Sequence, residues 1–132
     1  MPALHFEFVS PERMLFSGEV DQVDLPGLEG DMGILAEHAP LVTPLRPGII
    51  TIFNGGAREA VVVIGGIAEV SPAGLTVLAD KATPRDDFDT AMLAAEIKDA
   101  EEDVADATDE AQRDKLARRI EQLRALQAAL FH

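Results

Sequence analysis

Glu29 and Asp31 flank Gly30, an arrangement of paired carboxylates found in some cation-binding loops. A calcium loop needs more oxygen ligands at fixed spacing, and the neighbouring sequence does not supply them. His38 comes soon after, just before Ala39-Pro40. No Ser or Cys stands beside it in a nucleophile motif, and no second His lies at ligand spacing, so acid–base catalysis and metal ligation both lack partners. Asp86, Asp87 and Asp89 form a third acidic group. They precede a helical pattern, where capping and the helix dipole account for them better than a metal does. Glu101-Glu102-Asp103 reads as a solvated helix face. The chain has no Cys, which removes thiol chemistry and disulfides and fits a reducing compartment. These groups predict no catalytic residue, no metal site and no cofactor.

The carboxylates and His38 sit in the stretch around which the chain is organised. Residues 25–48 read LPGLEGDMGILAEHAPLVTPLRPG, with prolines at 26, 40, 44 and 47 and glycines at 27, 30, 33 and 48. Proline fixes φ and lacks a donor, and glycine admits positive φ, so a helix is nearly excluded. Pro26-Gly27 and Glu29-Gly30 predict tight turns, with short strands at Gly33-Ile34-Leu35 and Leu41-Val42. Glu29-Gly30-Asp31 is expected to protrude into water.

Period-two alternation places a strand at Leu4, Phe6 and Phe8. Met14 and Phe16 begin a second, which Gly18 is expected to break or bulge, and residues 20–25 a third. Residues 49–53 are strand, and Asn54-Gly55 predicts a hairpin turn. The apolar run 60–64 reads as a strand buried on both faces, and Gly65-Gly66 as a bend or a close backbone approach. Residues 67–70 and 75–79 form a last hairpin about Pro72-Ala73-Gly74. The spacing predicts about 8–10 short strands in an N-terminal β-sandwich over residues 1–84, burying Phe6, Phe8, Ile50, Ile52, Val61 and Val63. At about 25 cal/mol per Å² of apolar burial, such a core holds the domain without the rest of the chain.

Residues 85–87 read as a linker, with Asp86 or Asp87 capping the helix after it. Glycine and proline vanish from Phe88 onward. Leu93, Ile97, Ala100 and Val104 make one apolar helical stripe, and Leu116, Ile120, Leu123, Leu126 and Leu130 another. The expected form of residues 88–132 is an antiparallel two-helix hairpin turning at 106–109, with Thr108 as a cap. One uninterrupted helix is the rival, because no breaker stands at 105–110. The fold class is therefore mainly β plus α.

Net charge is −13. Residues 1–85 hold 11 acids and 5 bases, residues 86–110 hold 11 acids and 1 base, and residues 111–132 hold 2 acids and 5 bases. The composition changes near residue 85, and the acidic field disfavours nucleic acid and anionic lipid. No apolar run approaches the roughly 18–20 residues of a membrane span, and residues 1–6 lack a signal-peptide pattern, so no direct membrane insertion is expected.

Residues 25–48 closely resemble the signature of the epsilon subunit of F-type ATP synthases, called delta in mitochondria. Phe16-Ser17-Gly18, residues 65–70 and residues 75–80 fit the same family, so the resemblance covers about the first two-thirds of the chain. The family's fold, a sandwich plus a helical hairpin, matches the reading from the residues. The resemblance implies a non-catalytic central-stalk (rotor) subunit, linking the gamma shaft to the membrane c-ring and coupling proton flow to ATP synthesis. Catalytic residues would lie on other subunits. It carries c-ring contact to Glu29, Gly30, Asp31 and Met32, and gamma contact to His38, Ala39 and Pro40. It places the chain peripherally at the cytoplasmic face of the bacterial inner membrane. A regulatory alternative is inhibition of ATP hydrolysis by the C-terminal helices, with Arg113, Lys115, Arg118, Arg119 and Arg124 meeting the alpha/beta catalytic subunits. Some bacterial members bind ATP through a hairpin motif of Ile or Leu, Asp, two variable residues, Arg and Ala. Here Asp89 matches, but Met92 and Leu93 replace the Arg and Ala, and Asp99 stands where a further arginine is expected. Without those arginines the window lacks the charge that holds phosphate. A free-standing enzyme, the third class of reading, finds no constellation to support it.

Overall fold

A computed structural model of the chain describes residues 2–131. It divides into two compact units, Met1–Asp86 and Asp87–His132. The first holds ten strands: β1 (Leu4–Val9), β2 (Met14–Val20), β3 (Gln22–Gly27), β4 (Gly30–Leu35), β5 (Leu41–Leu45), β6 (Gly48–Asn54), β7 (Ala57–Val63), β8 (Gly66–Ser71), β9 (Gly74–Ala79) and β10 (Ala82–Pro84). They hydrogen-bond in the order β10-β7-β6-β3-β5-β8-β9-β1-β2, with β4 paired to β3.

The pleat explains the core. In β1, Leu4, Phe6 and Phe8 turn inward while His5, Glu7 and Val9 stay half-exposed. All six residues expected inside, Phe6, Phe8, Ile50, Ile52, Val61 and Val63, are buried together. The run at the end of β7 is buried on both faces, because Val62 is covered as well as Val61 and Val63. β1 pairs parallel with β9, joining Phe6 to Leu75 and Phe8 to Val77. Every other strand pairing among the described residues is antiparallel.

Several turns differ from expectation. Gly18 neither breaks nor bulges β2; it pairs with Phe6, and the irregularity falls where Phe8 meets Phe16 but Val9 meets Met14, leaving Leu15 as the extra residue. Val20 ends β2, and β3 begins at Gln22. Pro26 and Gly27 lie in β3, and the turn is Leu28-Glu29, because Gly27 already pairs with Gly30. The β6–β7 turn is Gly55-Gly56, both at positive φ (60° and 86°), since Asn54 pairs with Ala57. Two adjacent glycines meet the backbone demand of this turn at no steric cost, so the register shifts by one from Asn54-Gly55.

The second unit holds α1 (Thr90–Asp106) and α2 (Glu110–Leu130), which pack against each other after a 3-10 turn at Arg85–Asp87. The helices are antiparallel and separate, and Arg124 of α2 donates to Glu101 of α1 at 2.7 Å. Helix α1 starts at Thr90 rather than Phe88. Its cap is Asp89, which accepts from the amides of Ala91 (2.9 Å) and Met92 (3.2 Å), rather than Asp86 or Asp87. Asp109, not Thr108, caps α2 by accepting from Ala111. The second cap is what breaks the chain into two helices: an Asx side chain that satisfies a free amide rewards a new helix start. The buried side chains are Leu93 and Ile97 of α1 and Ile120, Leu123 and Leu126 of α2, all from the expected stripes.

Because unit one has its own contiguous core, residues 1–86 alone are expected to unfold in a single cooperative thermal transition. A broad, featureless melt of that fragment overturns its independence.

Candidate functional site

The β3–β4 hairpin ends in a two-residue tip, Leu28-Glu29, held from below. Leu28 donates its amide to the Pro44 carbonyl (3.0 Å), and the Arg46 amide donates to the Pro26 carbonyl (3.0 Å). The strands approach closely here. A Cβ at Gly27 would lie 2.7 Å from the Gly30 oxygen, and one at Gly48 would lie 2.5 Å from Pro26 Cβ, so both positions demand glycine. The Arg46 guanidinium donates to the Gly27 carbonyl and to Asp31 Oδ1. Glu29, Gly30 and Asp31 are exposed and Met32 is half-buried, so the structure brings the four expected ring-contact residues together at one end of the sandwich. Asp31 belongs to β4 rather than to the loop.

His38, Ala39 and Pro40 lie beyond the far end of β4, roughly 17 Å from the tip along an extended strand. A turn with Glu37 at positive φ (71°) brings the His38 amide to the Leu35 carbonyl (3.2 Å). The His38 ring Nδ1–H donates to the Ala39 carbonyl at 2.8 Å. His38 borders a cleft of about 490 Å³ that His5, Glu19, Glu37 and Ser71 also line. His5 there lies 3.3 Å from Glu7 and 3.5 Å from Glu19. Among the described residues, no three His, Cys, Asp or Glu converge as metal ligands.

A surface that sequence reasoning missed runs across the sheet. Pro44 pairs with Ile67, Ile67 with Leu78, Leu78 with Val9, and Val9 with Met14. Cross-strand partners share a face, so these five form one apolar row over β5, β8, β9, β1 and β2. Ile67 is 42% exposed, Leu78 51% and Met14 56%. The next row on the same face, Val42, Glu69, Thr76, Glu7 and Ser17, carries two carboxylates and no base. An apolar row with an acidic border suits a partner with an apolar strip flanked by Lys or Arg. The row begins at Pro44, whose carbonyl also holds the hairpin tip. Its signal in the sequence is single apolar residues at outward positions of five strands, and each alone is ordinary.

In the helical unit, Arg113, Lys115, Arg118, Arg119 and Arg124 are all exposed. Arg124 is paired with Glu101, and Arg113 donates to the Ala107 carbonyl at 2.7 Å, reinforcing the turn. Asp89 is engaged as the α1 cap, and Met92 is 63% exposed. The one residue matching the family's nucleotide motif thus accepts two amides as a helix cap.

Residues 3–85 match the family model described as ATP synthase, Delta/Epsilon chain, beta-sandwich domain. This chain belongs to that family. The epsilon chain of ATP synthase from Rhodopseudomonas palustris (strain BisA53) is 57% identical over 105 residues, 80% of this chain and 78% of the relative. That from Maricaulis maris (strain MCS10) is 49% identical over 129 residues, 98% and 97% of the two chains. Among solved structures, a chain of the Euglena gracilis mitochondrial ATP synthase, in a structure that includes the c-ring, aligns with a TM-score of 0.79. It is 28% identical, over 98% of this chain and 83% of that one. A chain of the Tetrahymena thermophila central stalk and c-ring aligns at 0.57 with 12% identity, over 63% of this chain and 67% of that one, a likeness of fold. Membership of the delta/epsilon family makes this a stalk subunit of an ATP synthase, associated with that complex. No helix among the described residues is long and apolar enough to cross a membrane.

Proposed function

We propose that this delta/epsilon chain joins the gamma shaft of a proton-translocating F-type ATP synthase to the membrane c-ring and passes torque between them. It does no catalysis; the reaction belongs to other subunits. In the bacterial cell it sits peripherally, at the cytoplasmic face of the inner membrane. The observation that supports this reading is a pair of distinct surface features on one sandwich, the charged β3–β4 tip and the apolar row, which meet at Pro44. A coupler needs two faces for two partners, held rigidly enough to transmit force. Sandwich strands provide that rigidity because their interiors are close-packed. The tip suits ring loops that present arginine, and the row suits the shaft. His38, Ala39 and Pro40 extend the shaft contact at the other end of the sandwich.

Co-purification tests it. The chain is expected at one copy per complex, retained with both shaft and ring. Recovery of the complex with neither surface protected from labelling counts against it.

A second reading, a brake on ATP hydrolysis, is favoured by one observation: Lys115, Arg118 and Arg119 on α2 are exposed and have no partner among the described residues. We expect the brake to be weak and not ATP-gated. Losing two charge-assisted contacts to phosphate lowers nucleotide affinity by roughly two to four decades. Calorimetric titration of Mg-ATP into the isolated chain is expected to show no micromolar binding. Truncation after Asp87 is expected to raise hydrolysis by the complex less than severalfold; a large activation restores the inhibitor reading.

A further inference from the structure

Arg46 is half-buried at the β5–β6 corner, next to Leu45, which pairs with Gly27 at the base of the hairpin tip. Its guanidinium reaches two acceptors fifteen or more residues away in sequence, the Gly27 carbonyl and the Asp31 carboxylate. These acceptors bracket the Leu28-Glu29 turn, one on each strand. The main chain ties the same corner to the same tip through Leu28 to Pro44 and Arg46 to Pro26. Asp31 is 82% exposed yet engaged, while Glu29 has no partner among the described residues.

We propose that Arg46 is the positioning residue of this tip: it clamps both strands of the turn, takes up the charge of Asp31, and leaves Glu29 as the carboxylate presented to a cationic loop of the partner. The inference rests on the reading that the tip docks on the membrane ring. Asp31 then serves the tip from within, and the docking charge is Glu29. A planar guanidinium is suited to the task, because its fork reaches two acceptors at fixed angles where an ammonium cannot. A tip fixed before docking avoids the ordering cost that a mobile loop incurs on binding.

Hydrogen exchange on the free, full-length chain reads the clamp without any partner. Arg46→Met keeps side-chain length and removes the donors. The Leu28 amide is expected to exchange about tenfold faster or more, while the Phe6 and Val77 amides of the core keep wild-type protection. Arg46→Lys is expected to restore protection only in part. Glu29→Gln leaves exchange at Leu28 unchanged. In reconstituted complexes, Arg46→Met and Glu29→Gln are each expected to lower ATP-driven proton pumping per ATP hydrolysed severalfold. Their combination falls no more than about twofold below the worse single variant, because Arg46 acts through the placement of Glu29. Wild-type exchange at Leu28 in Arg46→Met overturns the clamp. Fast exchange with normal coupling in Arg46→Met, while Glu29→Gln is impaired, overturns its role in positioning. Fast exchange with normal coupling in both variants shows instead that the tip is not the docking element, and the ring-docking reading falls with it.

Discussion

Ile67→Lys combined with Leu78→Lys is expected to yield a folded chain that fails to assemble into the complex. The two residues are direct cross-strand partners at the centre of the apolar row, and both point away from the core. Lysine on an exposed strand face keeps its ammonium in water, so the isolated sandwich loses little stability. Docking changes that. A partner strip closing over the row would trap two charges while its own Lys or Arg engage the Glu7 and Glu69 carboxylates that could otherwise offset them. It would also bring any Lys or Arg that suits the Glu7 and Glu69 border close to new like charge. An uncompensated charge buried at an interface costs on the order of 3–5 kcal/mol, roughly two to four decades in affinity. The measurement is a pull-down of the full-length variant with the remaining subunits, alongside a thermal melt of the free variant. Glu59→Lys, on an exposed part of β7, serves as the control and is expected to assemble normally. Wild-type assembly of the double variant removes the row from the docking surface.

The contrast between the row and the core shows which parts of this molecule a sequence carries. The inward residues of β1 and the stripes of α1 and α2 follow from period alone, because each repeats within one element. The family resemblance comes from residues 25–48, where turn chemistry constrains nearly every position. The outward row has no such record. Its five members sit at 9, 14, 44, 67 and 78, and only strand register makes them neighbours. The Arg46–Asp31 contact is hidden for the same reason: it joins a corner to a strand fifteen residues earlier, so nothing local marks Arg46 as more than a loop cation. The caps lie two or three residues from their expected places at α1 and one residue away at α2. Asp86, Asp87 and Asp89 offer the same chemistry, and the choice among them depends on where the 3-10 turn at Arg85–Asp87 ends. The family motif is legible at Asp89, but its role there as a cap emerges only from the amides it accepts.

The parallel pairing of β1 with β9 is the strand contact least visible in the sequence, because it joins the two ends of the first unit. β1 joins β9 in parallel across nearly the whole length of the first unit, and the inward residues at that seam are Phe6, Phe8, Leu75 and Val77, all essentially solvent-free. Phe8 also packs its ring against that of Phe6, with centroids 5.7 Å apart. Phe8→Ala removes one of the two largest side chains at the seam, and neighbours on a hydrogen-bonded ladder have little freedom to collapse into the space. A loss of about 3–5 kcal/mol is expected. Typical domains hold only about 5–15 kcal/mol in total, so much of the margin disappears. Chemical denaturation of the full-length chain is expected to show the midpoint for the strand signal falling sharply. Leu78→Ala, one residue further along β9 but facing outward, is expected to lie within about 0.5 kcal/mol of wild type. Equal destabilisation by the two variants would mean that the pleat assigns these neighbouring positions to the wrong faces, and would remove the basis of both the core and the docking row at once.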